Sequence, residues 1–360
     1  MLTVLTSFDN TGLPLATLIN GSKRVYVPLY IKGIGIKLKK IEENIGSVRR
    51  IIENYPVMVN DFKSHIRAFG LSRRVDYKVF DIGLVNPGPS REELSGCDCV
   101  FGDEGYRNLI ANVSVVYQDL EDRGVFDGYK RVFPKYSLST ISGRSKTTGY
   151  SIQGATSDLI RHVDGGVFVH FDWVSADLLM VAVISGDKDL LSMFGESDPY
   201  TIISKSIGID RSECKRAFFG ALYSLDVEHP IFMLFPVLKK WVGDCVVKLE
   251  KDGHLESLLG RRFYLSGGNR LGVFNSQFQG SVVHALHNVM VRSYADYGRY
   301  LVTEIHDSLV FACNKSLLSS LIKDIGDLML YPFEGMELRM PFTVSVGTCW
   351  RHWKVYKTVR

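Results

Sequence analysis

The stretch from Arg211 to Ser224, RSECKRAFFGALYS, constrains this chain more than any other, because a helix turns it into a graded stripe. At ~100° per residue, Arg211, Lys215, Phe219 and Tyr223 drift only ~40° per step, so cations give way to aromatic rings along one face. Asp210 supplies an N-cap and Glu213 a capping-box partner, which fixes where the helix starts. A cationic end suits a polyphosphate, and an aromatic end presents flat surfaces to a base. Alone, such a pattern more often describes an amphipathic helix with solvated cations and a buried Phe/Tyr face, so other residues must decide.

Length and composition bound the alternatives. A chain of 360 residues that is 46% hydrophobic has enough apolar surface for two domains, or for one large domain with an appendage. The 43 Lys+Arg against 39 Asp+Glu leave a net charge of +4, compatible with nucleic acid without being diagnostic of it. Any basic groove must therefore be local. Of six cysteines only Cys97 and Cys99 are close, and no His/Cys spacing suggests zinc. Scattered cysteines, an N-terminus without a basic leader and no long uncharged apolar run predict an intracellular protein with no membrane segment. The cytoplasm of a bacterial or virus-infected cell, or an organelle, is the expected setting.

Periodicity predicts strands near 3–8, 14–20 and 24–30, a basic helix at 36–53, and strand, helix and strand over 56–84. NPGPSREE at 86–93 reads as a linker, 104–124 as an apolar-periodic helix, and 142–154 as an extended loop. Beyond it the pattern predicts a strand at 166–171, helices near 174–185, 211–223 and 230–250, a hairpin at 255–265 and a long helix at 274–297. A strand–turn–strand at 299–313, a helix at 315–330 and a strand near 343–347 complete an α+β pattern with an antiparallel sheet.

Two aspartates stand at strand ends in apolar surroundings, Asp172 in VFVHFDW and Asp307 in LVTEIHDSLVF. A buried carboxylate must be solvated, paired or metal-bound, because an unpaired buried charge is costly. One alone would be read as a cap or an ion pair. Two that bracket the Arg/Lys/Phe/Tyr helix suit Mg²⁺, which binds through one or two carboxylates plus substrate phosphates.

Here the chain resembles the family A DNA polymerases, the DNA polymerase I group. FDWVSADLL resembles that family's D-Y-S-Q-I-E-L motif, with Asp172 at the metal-binding aspartate. The central helix resembles R-x-x-x-K-x-x-x-F-G-x-x-Y-G at Arg211, Lys215, Phe219, Gly220 and Tyr223, with Ser224 replacing the last glycine. IHDS resembles V-H-D-E, keeping His306 and Asp307, with Ser308 for the glutamate. SGRS at 142–145, LLGRRFYL at 258–265, FNSQFQGS at 274–281 and the closing VSVGTCW follow in the family's order, so the likeness spans about residues 142–355.

The resemblance implies a palm of antiparallel sheet and helical fingers in a right-hand arrangement, preceded by a small α/β exonuclease-like domain. It implies that Asp172 and Asp307 hold two Mg²⁺ ions, or Mn²⁺ in their place, and that Arg211 and Lys215 grip the triphosphate of a dNTP. Phe219, Gly220 and Tyr223 would face the incoming base pair, with His306 nearby and Asp177 blocking the ribose 2′-hydroxyl. Arg144, Asn275 and Gln279 would meet primer–template DNA. The N-terminal segment looks like a worn 3′–5′ exonuclease, since Thr11 and Ser64 stand where acids belong. The implied domains are 1–95 (degenerate exonuclease), 96–141 (linker and reduced thumb) and 142–360 (palm and fingers). So short a thumb implies weak grip, or an accessory processivity protein. A primase-like or RNA-synthesising relative stays open, because HDS also occurs in single-subunit phage-type RNA polymerases, as does a catalytically silent DNA-binding protein.

Overall fold

The computed structural model describes residues 2–8, 14–20, 23–27, 57–59, 79–81, 104–127, 130–138, 140–155, 165–225, 227–265 and 268–360. The basic helix expected at 36–53, the helix expected between 56 and 84, and the linker at 86–93 lie outside these residues, as do Asp9, Thr11 and Ser64.

The first five strands, β1 (Leu2–Phe8), β2 (Pro14–Asn20), β3 (Lys23–Val27), β4 (Val57–Val59) and β5 (Val79–Asp81), form one mixed sheet in the order β3-β2-β1-β4-β5. β1, β2 and β3 pair antiparallel as a meander, whereas β1, β4 and β5 run parallel. All three strand regions read from the first thirty residues fall where alternation placed them.

Helix α1 (Glu104–Arg123) follows, then a short hairpin of β6 (Val125–Asp127) and β7 (Lys130–Val132). Sequence alone missed this hairpin, whose strands are only three residues long. α1 is not a helix standing out in solvent. Every residue from 112 to 121 is buried, Asn112, Gln118, Asp119 and Glu121 included, which marks a helix enclosed by its neighbours. The 142–154 loop is partly ordered as a second small hairpin, β8 (Lys135–Ser137) with β9 (Lys146–Thr148).

The main sheet is built on β10 (Val167–Trp173). Val169, Phe171 and Trp173 point into the core, and Phe168, His170 and Asp172 alternate onto the opposite face. Four helices follow: α2 (Ala176–Ser185), α3 (Lys188–Glu196), α4 (Pro199–Ile207) and α5 (Arg211–Ser224). Asp187, Asp198 and Asp210 cap α3, α4 and α5 by accepting backbone N–H bonds. At α5 that bond comes from Ser212.

The helix predicted over 230–250 is broken. Pro230–Leu234 forms a 3₁₀ turn and α6 (Pro236–Asp252) starts afresh, because Pro236 has no N–H with which to continue a preceding turn. The β11 (His254–Glu256) and β12 (Arg262–Tyr264) hairpin leads to α7 (Arg270–Tyr297), a 28-residue spine with most of its length buried. Its close fit is set by Gly280, where a Cβ would meet the Phe263 ring at 2.6 Å and the Ser142 carbonyl at 3.3 Å.

β13 (Leu301–Ile305), β14 (Ser308–Cys313), α8 (Leu318–Leu330), β15 (Phe342–Gly347) and β16 (Lys354–Val359) end the chain. The sheet order is β13-β14-β10-β15-β16, antiparallel throughout. β16 escaped prediction because it is exposed along nearly its whole length and shows no alternation. Trp350 is fully buried and donates to the Ala155 carbonyl at 3.0 Å, tying the chain end back to the loop before β10. Truncating such a ring costs about 3–5 kcal/mol. The α+β class read from sequence is the class observed. Among the described residues no helix is long and apolar enough to cross a membrane, and Cys214, Cys245, Cys313 and Cys349 are free thiols.

Candidate active site

Strand pairing alone brings two carboxylates together. Asp172, next to last in β10, lies opposite Ser308, and Asp307 immediately precedes Ser308 in the turn from β13. That turn has two residues, and its first, His306, is held at φ 59°. A non-glycine residue there is strained by roughly 1 kcal/mol or more, which the flanking ladder must hold in place.

Burial first, and then the charge of Asp307, push the Asp172 carboxyl up to about 7, while Lys215 pulls it down. Burial and Asp177 raise Asp307, opposed by Arg144. Two carboxylates so placed are poorly hydrated and mutually repelled, a condition that a cation relieves. Among the described residues no cluster of three or more His, Cys, Asp or Glu is preassembled as a cage. Two carboxylates fit Mg²⁺ better than a dedicated protein cage does, since Mg²⁺ keeps waters and takes substrate phosphates.

The stripe on α5 is present and it is supported from below by Tyr200 of α4. Arg211 and Lys215 lie over the Tyr200 ring at 5.8 and 5.9 Å, Phe219 contacts the same ring, and Phe219 and Tyr223 are 5.3 Å apart. Arg211 is not a free cation, however: its Nε donates to Asp198 Oδ2 at 2.8 Å. Asp198 also accepts from Ser175, in the turn that follows β10, so one carboxylate links the start of α5 to the Asp172 strand. Gly220 faces open space, and a Cβ there would meet nothing within 4 Å.

Arg144 and Asp177 meet directly, one Nη2 lying 3.1 and 3.2 Å from the two carboxylate oxygens. Burial and the Asp177 charge push the Tyr223 hydroxyl up, so the carboxylate lies near that ring while arginine holds it by hydrogen bonds. Asn275 lies one turn before Gln279 on α7, with a buried Oδ1 that has no partner. The loop carrying Arg144 is clamped by Arg261, whose guanidinium donates to the Ile141 and Ser142 carbonyls at 3.1 Å each. Gly143 makes room for it, since at φ 84° a Cβ would meet that guanidinium at 2.5 Å.

Sequence reasoning passed over two residues here. Glu304, fully buried in β13, accepts from Ser145 Oγ and from Gln153 Nε2 at 3.0 Å, and burial pushes its carboxyl up to about 7. Its signal was an acid inside the apolar run LVTEI. His170 stacks on Trp353 at 4.9 Å and bonds Ser308 Oγ at 2.9 Å, and burial pushes its imidazole down to about 4, so it is neutral beside Asp172.

An antiparallel sheet thus carries two neighbouring carboxylates, and a helix with a cation-to-ring stripe brings Lys215 close enough to act on one of them. The chain is similar to the polymerase domain of Pol1 from M. smegmatis, solved in complex with DNA primer-template and dNTP. That likeness has a TM-score of 0.55 and 19% identity, over 68% of this chain and 53% of that one. It is also 25% identical over 225 residues to the thermostable DNA polymerase I of Thermus thermophilus, covering 51% of this chain and 27% of that protein. Similarity to the Thermus aquaticus enzyme is 23% over 227 residues, 51% and 27% of the two chains, and to Chloroflexus aurantiacus DNA polymerase I 21% over 227 residues, 52% and 24%. No family model matches. The chain shares the fold of that polymerase domain and is similar in sequence to these DNA polymerases I, and it spans about a quarter of the length of the curated relatives it matches.

Proposed function

We propose that this chain is a template-directed DNA polymerase that adds dNTPs to a primer 3′ end, with residues 142–360 as palm and fingers. The observation that carries this reading is the placement of Asp172 beside Asp307 with Lys215 of α5 close enough to act on the Asp172 carboxyl. Two Mg²⁺ ions, or Mn²⁺, held by these aspartates would activate the primer hydroxyl and neutralise the triphosphate. Arg211, released from Asp198, and Lys215 bind β- and γ-phosphates, and Lys215 holds a proton for the departing pyrophosphate. Phe219 and Tyr223 stack against the new base pair, Gly220 leaves that face clear, and His306 lies beside the primer end. Arg144, Asn275 and Gln279 position the duplex by its backbone and minor groove without reading sequence.

In this reading residues 1–95 are a degenerate exonuclease, with Thr11 and Ser64 where hydrolysis needs acids, so the enzyme does not proofread. Residues 96–141 are few for a DNA-gripping thumb, and within them α1 is buried from 112 to 121. An accessory protein supplies grip, or products stay short. Extension of a labelled primer–template with Mg²⁺ tests the function: dNTPs are added as the template dictates. Primer-independent synthesis from rNTPs would replace this reading with the primase-like one.

A further inference from the structure

The groups that the family pattern assigns to separate tasks, Arg144 to the primer duplex and Asp177 to the sugar of the incoming nucleotide, are joined in this chain. We propose that sugar selection is set by the Arg144–Asp177 ion pair, with Arg144 as a positioning residue that pins the carboxylate in the path of a ribose 2′-hydroxyl. The inference rests on the polymerase reading and deepens it.

Three observations carry it. First, the pair is largely withdrawn from water, the two side chains retaining 27% and 18% of their exposure, and a single Nη2 spans both oxygens. A partly buried, charge-assisted contact of this kind holds a carboxylate in one position, which an exposed pair does not. Second, the side-chain hydrogen bonds that Asp177 accepts among the described residues all come from Arg144. Third, the arginine is itself fixed from behind: Thr140 Oγ1 donates to its carbonyl at 2.7 Å, and Arg261 grips the two carbonyls at 141 and 142. The position of the Asp177 carboxylate is thereby inherited, through Arg144, from the loop at 140–144.

Asp177 is one methylene shorter than a glutamate and sits in the first turn of α2. Left unpaired, a short carboxylate turns toward water, which hydrates it better than a half-buried cleft does. The space beside the 2′ position then opens. A discrimination of one methylene's size is worth ~10–200-fold in a shaped pocket, so loss of the pin is expected at the lower end of that range.

The test is a double-mutant cycle on the ratio of kcat/KM for dNTP to that for rNTP, measured in wild type, Arg144→Ala, Asp177→Asn and the double variant. Arg144→Ala is expected to lower the ratio about tenfold. In the Asp177→Asn background the same change is expected to leave it unaltered. Arg144→Lys, a point charge rather than a planar donor, is expected to shift the ratio in the same direction by less, and serves if the alanine variant does not fold. If Arg144→Ala lowers both efficiencies equally, or shifts the ratio equally with and without Asp177, arginine acts on DNA alone and the inference falls. A wild type that incorporates neither nucleotide overturns the polymerase reading, and this inference with it.

Discussion

At the scale of single residues, Asp172 is the group whose chemistry and stability oppose each other. In the unfolded chain its carboxyl titrates near ~3.9, and in the folded chain at about 7. Between these values the folded state keeps a proton the unfolded state has lost, so the group's contribution to stability falls as pH rises and is fully unfavourable above 7. Asp172→Asn removes that penalty. In metal-free thermal melts the variant is expected to unfold at a higher temperature than wild type at pH 8, with the gap narrowing at pH 5. Added Mg²⁺ should raise the wild-type melting temperature at pH 8 and leave the variant's nearly unmoved. A gap that does not vary with pH would mean the carboxyl carries no such penalty. Asp172 and Asp307 were legible in the sequence because an acid at the end of an apolar strand is conspicuous. Asp198 was not, because nothing in its neighbours reveals that Arg211, thirteen positions on, closes on it.

Among elements, the helices declared themselves, since caps and 3.6-residue periodicity are local signals. What failed was local in a different way: the break at Pro236, the three-residue strands β6 and β7, and the exposed β16 offer little pattern to read. The packing of α7 is a tertiary fact that only its glycines hint at. Gly280→Ala forces a methyl against Phe263 and the Ser142 carbonyl, so α7 must shift from the β11–β12 hairpin and the loop that bears Arg144. Overpacking of this sort costs about 1–3 kcal/mol. Gly220→Ala meets open space in the middle of α5 and is expected to gain about 0.5–1 kcal/mol from helix propensity. Denaturant unfolding of both variants checks the pair. If Gly280→Ala is as stable as wild type, the close approach of α7 does not fix that loop.

For the whole molecule, the order of motifs along the chain made the polymerase fold legible, while the way the site is wired was not. The ion pairs Arg144–Asp177 and Arg211–Asp198 join segments 33 and 13 residues apart and depend on the sheet that brings them close. The N-terminal sheet is expected to be inert toward primer ends. A 3′-mismatched primer incubated with Mg²⁺ and no dNTP should keep its length, and shortening that disappears in Asp9→Ala or Asp81→Ala would show an active exonuclease. The two carboxylates carry the proposed chemistry, and single-nucleotide incorporation on a labelled primer–template measures it. With Asp172→Ala or Asp307→Ala, incorporation is expected to fall by ~1,000-fold or more, as loss of several kcal/mol of charge stabilisation requires, while binding of the same duplex changes little. Incorporation by either variant at near the wild-type rate would contradict the account.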